Sequence, residues 1–255
     1  MKTRILGQGL EVSAMALGCM GYGKSRDIPD RKQMIELLRY ATNRSATDQA
    51  INFIDTAEVY GPWTNEEMVG EALHSRRGEI ILATKFGWNI EQRTGQQLAG
   101  LNSRPEQIRQ SLEGSLRRLN TDYIDLYQLH WPERKTNFFG RLNYKHKEED
   151  NWNEFEKVLT ALEKFIKQGK IRYVGLSNET SWGLSKFLEI SKIKKLPRMM
   201  SVQNPYSLLC RTYEIGLSEI SIREKSGLLA YSPLAGGFLT GKYRNNNLPE
   251  NSRQK

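Results

Sequence analysis

Cysteine and long apolar runs are both scarce in this chain of 255 residues. Its two cysteines, Cys19 and Cys210, are too few for a framework of disulfide bonds. No stretch approaches the roughly 18 apolar residues of a membrane-spanning helix. The first five residues, Met-Lys-Thr-Arg-Ile, lack the apolar core of a secretory signal peptide. We therefore expect a globular cytoplasmic protein that does not act on a membrane.

Negative charge is in short supply, because 29 Asp and Glu stand against 38 Lys and Arg, a net charge of +9. Two basic stretches, residues 164–172 and 192–198, account for part of the excess. A nucleic-acid surface, or an electrostatic funnel for an anionic cofactor, is one interpretation. Neither stretch belongs to a recognised nucleic-acid motif, so we expect solvated helix faces and no nucleic-acid partner.

Short apolar runs alternate with segments of helical spacing along the whole chain, which is typical of parallel β/α units. The length suits one barrel domain of about 250 residues, so residues 1–255 are taken as a single domain. A hairpin is predicted at residues 4–6 and 11–13, and capping boxes are predicted to open helices at Thr64 and Ser103. Barrel strands are predicted at residues 14–17, 51–54, 80–83, 124–129, 171–176, 199–202 and 227–231.

Four polar side chains stand at or just past the ends of three of these strands. They are Asp55 and Tyr60 in Asp-Thr-Ala-Glu-Val-Tyr-Gly, Lys85 in Ala-Thr-Lys-Phe-Gly, and His130 in Gln-Leu-His-Trp-Pro. The C-terminal ends of barrel strands open on one face, where catalytic groups gather. An acid, a phenol, a cation and an imidazole are therefore expected to converge there.

The four groups suit the reduction of a carbonyl. A free tyrosine, with a pKa of about 10, is a poor proton donor at neutral pH. A lysine cation beside it favours the phenolate and lowers that pKa, and a carboxylate holds the lysine in place. A neutral imidazole can orient the carbonyl oxygen, and the tuned phenol can protonate it. The protein has no hydride of its own, so a nicotinamide cofactor is implied.

Each of the four also has an ordinary alternative. Asp55 could cap a turn, Tyr60 could be a loop aromatic, Lys85 could be solvated, and His130 could be a structural hydrogen-bonding group. Singly, each alternative is the commoner use of its residue type. Four coincidences at predicted strand ends favour the catalytic interpretation.

The order of the motifs resembles that of the aldo-keto reductases, from Arg4 to about Arg244. The landmarks are Gly18-Cys-Met-Gly, Asp55 to Gly61, Thr84-Lys, Leu129-His, Gly175-Leu-Ser-Asn, Gln203 and Tyr231-Ser-Pro-Leu. Residues from His130 onward are similar to the bacterial Tas-type branch. The resemblance implies a (β/α)8 TIM barrel whose floor is plugged by the N-terminal hairpin, and NADPH-dependent reduction of an aldehyde or ketone.

The resemblance also implies roles for individual residues. Tyr60 would be the general acid, Lys85 would tune it, Asp55 would anchor Lys85, and His130 would position the carbonyl. No metal ligand is expected. The residues expected at NADPH are Cys19, Met20, Asp55, Ser177, Asn178, Gln203, Tyr231, Ser232, Pro233, Leu234, Gly236 and Lys242.

Two tryptophans that follow catalytic residues, Trp88 and Trp131, are candidate walls of the substrate pocket. Trp131 opens a long loop that runs to Asp150 and contains Asn137-Phe-Phe-Gly. A loop of this length in a compact domain is usually functional or disordered. It is expected either to shape the pocket or to be a charged surface insertion.

Seven barrel strands are predicted, whereas relatives continue past Lys255 with an eighth strand and further helices. The expectation is therefore a C-terminally incomplete barrel with two open edges, which favour pairing with other chains. A homo-oligomer or a completing chain is a possible partner. Beside the reductase function, two alternatives stay open: a cofactor-binding regulatory subunit and a non-catalytic remnant.

Overall fold

A sheet of parallel strands, interspersed with helices along the chain, organises the computed structural model. Residues 1–21, 31–45, 49–61, 63–91, 94, 96–138, 141–148, 150, 152–250 and 252–254 are described. In chain order the elements are β1 (Thr3–Leu6), β2 (Leu10–Ser13), β3 (Leu17–Gly18), α1 (Arg31–Thr42), β4 (Phe53–Asp55), α2 (Thr64–Leu73), β5 (Ile81–Phe86), β6 (Trp88–Ile90), β7 (Gln97–Leu101), α3 (Pro105–Arg118), β8 (Ile124–Leu129), α4 (Phe155–Lys167), β9 (Ile171–Ser177), α5 (Ser181–Lys194), β10 (Met199–Pro205), α6 (Leu217–Arg223) and β11 (Gly227–Tyr231).

The main sheet of the described residues has seven strands, all parallel, in the order β11-β10-β9-β8-β5-β4-β3. It is curled, because a side chain on β10 reaches one on β4 across the interior. The amide Nε2 of Gln203 lies 2.8 Å from Oδ1 of Asp55, although three strands separate β10 from β4 in the sheet. This is the architecture of a (β/α)8 barrel, with seven of its strands within the described part of the chain.

The N-terminal hairpin closes the end of the curled sheet opposite the strand C-termini. Leu6, Leu10 and Val12 of the hairpin share a buried cluster with Phe53, Ala83, Leu126 and Met200, which lie on four strands of the sheet. Gly7 has a φ of +56°, and a Cβ at this position would clash with the backbone oxygen of Met200. The close approach fixes the hairpin as the floor of the interior.

The larger core lies between the sheet and the helices. It joins residues of α4 such as Val158 and Leu162 to strand residues such as Ile124 and Val174. Strands covered on both faces read as continuous apolar runs, which is why β8 is buried at all six positions. None of the helices in the described segments combines the length and the apolar character that a membrane span requires.

The two helices predicted from capping boxes are present, but neither capping box forms. Thr64 is the first helical residue rather than the cap, and its hydroxyl donates to the carbonyl oxygen of Gly61. Ser103 lies ahead of α3, whose cap position is Arg104, and its hydroxyl and N–H both donate to Glu133. In both cases a tertiary or turn contact satisfies the side chain that the capping pattern assigned to the helix.

The first predicted barrel strand is also shorter than expected. Instead of residues 14–17, β3 comprises Leu17 and Gly18, because the N–H of Ala14 bonds to Lys2 and extends the hairpin. The antiparallel pair β6–β7 was not predicted. It begins at Trp88, two residues after the C-terminal end of β5.

Candidate functional site

The C-terminal ends of β4, β5 and β8 bring the four predicted catalytic residues together. Asp55 is the last residue of β4, and Tyr60 lies in the turn that follows it. Lys85 is the penultimate residue of β5. His130 follows β8 directly, and its backbone N–H donates to the carbonyl oxygen of Phe86 at 2.8 Å.

The ammonium group of Lys85 is the hub of the site. Its Nζ lies 2.6 Å from Oδ2 of Asp55, 2.9 Å from the carbonyl oxygen of Thr56 and 3.2 Å from the hydroxyl oxygen of Tyr60. These three acceptors match the three donors of an ammonium group. The lysine side chain is fully buried and the carboxylate nearly so, which makes this a buried ion pair directed at the phenol.

The phenol of Tyr60 is protonated at neutral pH. Burial raises its pKa above the ordinary value, the Lys85 cation opposes that rise, and the Asp55 carboxylate adds to it. Lys85 therefore acts in the expected direction, but the net shift is upward because burial is the larger effect. At neutral pH this arrangement holds a neutral hydroxyl group that can donate a proton.

Both nitrogen bases at the site have settled protonation states. Burial favours the neutral form of Lys85, yet Asp55 and Tyr60 outweigh it and raise the pKa of the lysine. His130 is 6% exposed, and burial followed by the charge of Lys85 lowers its pKa well below the ordinary value. The site therefore contains a lysine cation and a neutral imidazole, as the sequence predicts.

A cavity of about 750 Å³ opens above these groups. Most of the predicted site residues line it: Met20, Asp55, Tyr60, Trp88, His130, Trp131, Ser177, Asn178, Gln203, Tyr231, Ser232, Pro233, Leu234, Gly236 and Lys242. Two predicted residues are not among its lining. Lys85 lies behind Tyr60, and Cys19 is completely buried, with its backbone oxygen accepting a hydrogen bond from Asn65.

Three polar residues at the ends of β9 and β10 form one connected set. The hydroxyl of Ser177 donates to the backbone oxygen of Gln203, and the amide of Asn178 donates to the backbone oxygen of His130. The hydroxyl of Tyr231, the last residue of β11, donates to Oδ1 of Asn178 at 2.7 Å. The set fixes the ring of Tyr231 in the wall of the cavity that the catalytic residues also line.

The segment from Ser232 to Gly237, which we call the cradle, forms tight turns along the cavity wall after β11. Ser232, Ala235, Gly236 and Gly237 all have positive φ, and the N–H groups of Ala235 and Gly237 donate to the carbonyl oxygens of Ser232 and Leu234. Lys242 follows, with its side chain close against Gly237. The small residues of the cradle and the cation of Lys242 are the groups on this wall that could hold a phosphate.

Six lining residues were not predicted: Gly18, Gly21, Val59, Gly237, Thr240 and Arg253. Gly18, Gly21 and Val59 lie within the motifs at residues 18–21 and 55–61, and Gly237 and Thr240 lie between the motif at residues 231–234 and Lys242. The sequence therefore contained a signal for these five residues. Arg253 has no such signal, since it lies far along the chain from every motif. With Lys242 it gives the cavity wall two cations.

The substrate side of the cavity is aromatic. The rings of Trp88 and Trp131 meet edge to face at 6.2 Å between centroids, and each also contacts the ring of His130. Phe138, from the long loop, packs on Trp131 at 5.0 Å. The loop therefore supports the pocket wall through Phe138, while Phe139 and Gly140 of the same motif lie outside the described residues.

Comparison with known proteins decides the family. A family model described as "Aldo/keto reductase family" matches residues 14–255. The chain belongs to the aldo/keto reductase family. This aldo/keto reductase is therefore an oxidoreductase by descent, and the resemblance that its motifs indicated is confirmed.

Curated relatives agree with this assignment. "Protein tas" of Escherichia coli (strain K12) is 40% identical over 265 residues, which cover 98% of this chain and 72% of the relative. "Aldo-keto reductase yakc [NADP(+)]" of Schizosaccharomyces pombe (strain 972 / ATCC 24843) is 33% identical, covering 91% of this chain and 61% of the relative. The Tas-type similarity is thus shown over nearly the whole reductase chain.

Solved structures confirm the fold. The thermostable aldo-keto reductase Tm1743 superposes with a TM-score of 0.72 and 31% identity, over 92% of this chain and 74% of that one. The holo form of aldo-keto reductase AKR11C1 from Bacillus halodurans gives a TM-score of 0.73 and 30% identity, over 98% and 71%. The curled seven-stranded sheet is therefore the barrel of this reductase family.

Proposed function

We propose that this protein reduces an aldehyde or ketone to the alcohol with NADPH, and that Tyr60 is the proton donor. The observation that carries the proposal is the contact between the buried ammonium of Lys85 and the hydroxyl of Tyr60 at the base of the cavity. A nicotinamide dinucleotide, when bound, supplies the hydride that forms the new C–H bond.

The residues of this chain account for the rest of the reaction. His130, neutral and beside Tyr60, holds the carbonyl oxygen with its imidazole. Tyr60 gives that oxygen its proton, so that the O–H bond forms as the hydride reaches carbon. Lys85 stabilises the negative charge that develops on the phenol oxygen, and Asp55 keeps Lys85 in place.

Cofactor binding is assigned to the part of the cavity formed by β9, β10, β11 and the segment after β11. Ser177, Asn178 and Gln203 offer hydrogen bonds for the carboxamide, and Tyr231 offers a ring for stacking. The cradle from Ser232 to Gly237, together with Lys242 and Arg253, suits the phosphates. The two cations favour NADPH over NADH, and the yakc relative is named as an NADP(+) enzyme. Free Cys19 and Cys210 fit the cytoplasmic location that we propose.

The decisive variant is Tyr60→Phe, which removes the hydroxyl and keeps the ring. Reduction is expected to fall by about 100- to 10,000-fold, the usual contribution of a positioned acid. Cofactor affinity, measured by quenching or enhancement of NADPH fluorescence, is expected to stay within about twofold of the wild type, because the substitution leaves the proposed phosphate cradle intact.

A matched control is Tyr206→Phe. The hydroxyl of Tyr206 bonds to Glu214 at 2.7 Å, outside the cavity, so its loss is expected to leave turnover unchanged. Unchanged turnover in Tyr60→Phe would overturn the proposal. If the wild type binds NADPH tightly but reduces no carbonyl compound, the result favours the alternative of a cofactor-binding regulatory subunit.

A further inference from the structure

A buried glutamine on β8 shares the carboxylate of Asp55 with the catalytic lysine. Gln128 is fully buried, and its Nε2 lies 3.2 Å from Oδ1 of Asp55. It pairs in register with Lys85 of the neighbouring strand, so both side chains point into the barrel interior. It also stands two residues before His130, on the same face of the strand.

The two oxygens of Asp55 have different partners. Oδ2 accepts from Lys85 at 2.6 Å. Oδ1 accepts from two amides, Gln203 at 2.8 Å and Gln128 at 3.2 Å. Gln203 lines the cavity and is assigned to the cofactor, whereas Gln128 is not among the lining residues. Of these two amides, Gln128 is therefore the one whose hydrogen bond to Asp55 does not depend on what occupies the cavity.

The amide of Gln128 is a poor choice for stability alone. Its Oε1 is buried and has no hydrogen-bond partner among the described residues. A buried carbonyl without a partner is destabilising, and an apolar residue of the same shape avoids that cost. Stability therefore does not explain why this position has a glutamine, and its hydrogen bond to Asp55 is the remaining contribution.

We infer that Gln128 is a positioning residue, which holds Oδ1 of Asp55 so that Lys85 stays on the Tyr60 hydroxyl when the cofactor engages Gln203. This inference rests on the proposed function. It adds a third member to the Asp55–Lys85 pair and places that member on β8, between the catalytic residues and the floor of the barrel.

The first test is Gln128→Met, which keeps the volume and removes the amide. The melting temperature is expected to change by only a few degrees, because the loss of the hydrogen bond to Asp55 is destabilising and the loss of the unpartnered carbonyl is stabilising. The single-turnover rate of reduction is expected to fall about 10- to 100-fold, the range for losing a hydrogen bond to a charged group. NADPH affinity is expected to be unchanged, whereas Gln203→Met is expected to weaken it.

The second test is Gln128→Glu, followed as a pH profile. When protonated, the new carboxyl donates to Asp55 as the amide does; when ionised, it repels Asp55. The rate is expected to fall with rising pH in a range where the wild type is constant. The titratable groups that face this pair are Lys85 from β5, Tyr60 after β4, His130 after β8 and Cys19 after β3.

A readout that does not need turnover is the titration of Tyr60 by NMR of labelled tyrosine rings, assigned through its absence in Tyr60→Phe. Without the amide, the negative charge of Asp55 is less well compensated. The Asp55 carboxylate raises the pKa of Tyr60, so that pKa is expected to rise further in Gln128→Met. The control is Gln107→Met, a buried glutamine outside the site, which is expected to leave the titration and the rate unchanged.

Three results would overturn the inference: a wild-type rate in Gln128→Met, a lost rate that simply follows a large fall in melting temperature, or an unshifted Tyr60 titration. If the wild type reduces no carbonyl, the proposed function fails, yet the titration still decides whether Gln128 acts on Tyr60 through Asp55.

Discussion

Replacing Lys85 by methionine removes a buried cation and leaves the carboxylate of Asp55 inside the protein without its counter-charge. The lysine is 0% exposed and the Asp55 side chain 12%, so water compensates little. Breaking a buried pair from one side usually costs about 3–5 kcal/mol. At about 2–4 °C for each kcal/mol in a domain of this size, the melting temperature of Lys85→Met is expected to fall by about 6–20 °C.

The double variant Asp55→Asn/Lys85→Met separates the lost charge from the lost packing. An asparagine keeps the shape of Asp55 but has no charge that would be buried without a partner. The double variant is therefore expected to regain more than half of the stability that Lys85→Met loses. Denaturant unfolding of the two single variants and the double variant gives the coupling energy directly. A loss below about 1 kcal/mol in Lys85→Met, or strictly additive losses, would refute the reasoning, since a buried ion pair has to show coupling.

Two further predictions concern pH and the cofactor. The rate of reduction is expected to be constant from the ordinary pKa of histidine, 6.5, to that of tyrosine, 10.0, because the pKa of His130 is lowered and that of Tyr60 is raised. Loss of rate would then occur on the alkaline side as the phenol loses its proton, and a midpoint near neutral pH would contradict this assignment. Lys242→Gln and Arg253→Gln are each expected to weaken NADPH binding and to reduce its dependence on salt, as followed by fluorescence titration at several ionic strengths. An unchanged salt dependence would remove these two cations from the phosphate site.

Much of the fold follows from local sequence signals. The apolar runs at residues 124–129 and 227–231 coincide with β8 and β11. β8 is buried at every position, as a parallel strand covered on both faces requires, whereas β11 lies at the edge of the sheet and is only partly buried. The strand ends then place Asp55, Lys85 and His130 together, since all parallel strands end on one face. Gly169 follows the cap residue of α4 with a φ of +73°, the left-handed conformation with which glycine commonly ends a helix.

Other features depend on contacts that no local pattern contains. The N–H and the hydroxyl of Ser103 donate hydrogen bonds to Glu133, thirty residues away, and the side chain therefore does not cap α3. Cys19 is adjacent to the exposed Met20, yet its thiol is buried, because β3 is short and its pleat turns alternate side chains inward. The pairing of Gln128 and Gln203 with Asp55 needs the curl of the sheet, which brings three strands to one oxygen.

The net direction of the Tyr60 pKa shift could not be read from the sequence either. The neighbouring lysine was predicted correctly, and alone it lowers the pKa of the phenol. The opposing effect, burial of the hydroxyl, comes from the assembled barrel and is the larger one. Burial thus keeps the phenol of Tyr60 protonated, and the contact with Lys85 favours the loss of that proton to a substrate.

The central claim is that this chain joins a hydride acceptor, a proton donor and a nicotinamide cofactor in one cavity. The most direct test is to incubate the purified chain with NADPH deuterated at both C4 positions of the nicotinamide and a panel of aldehydes and ketones, and to follow the alcohols by mass spectrometry. We expect one deuterium at the carbinol carbon with the wild type, and formation of the same product about 100- to 10,000-fold more slowly with Tyr60→Phe. Saturable NADPH binding without a deuterated alcohol from any of these carbonyl compounds would contradict the claim.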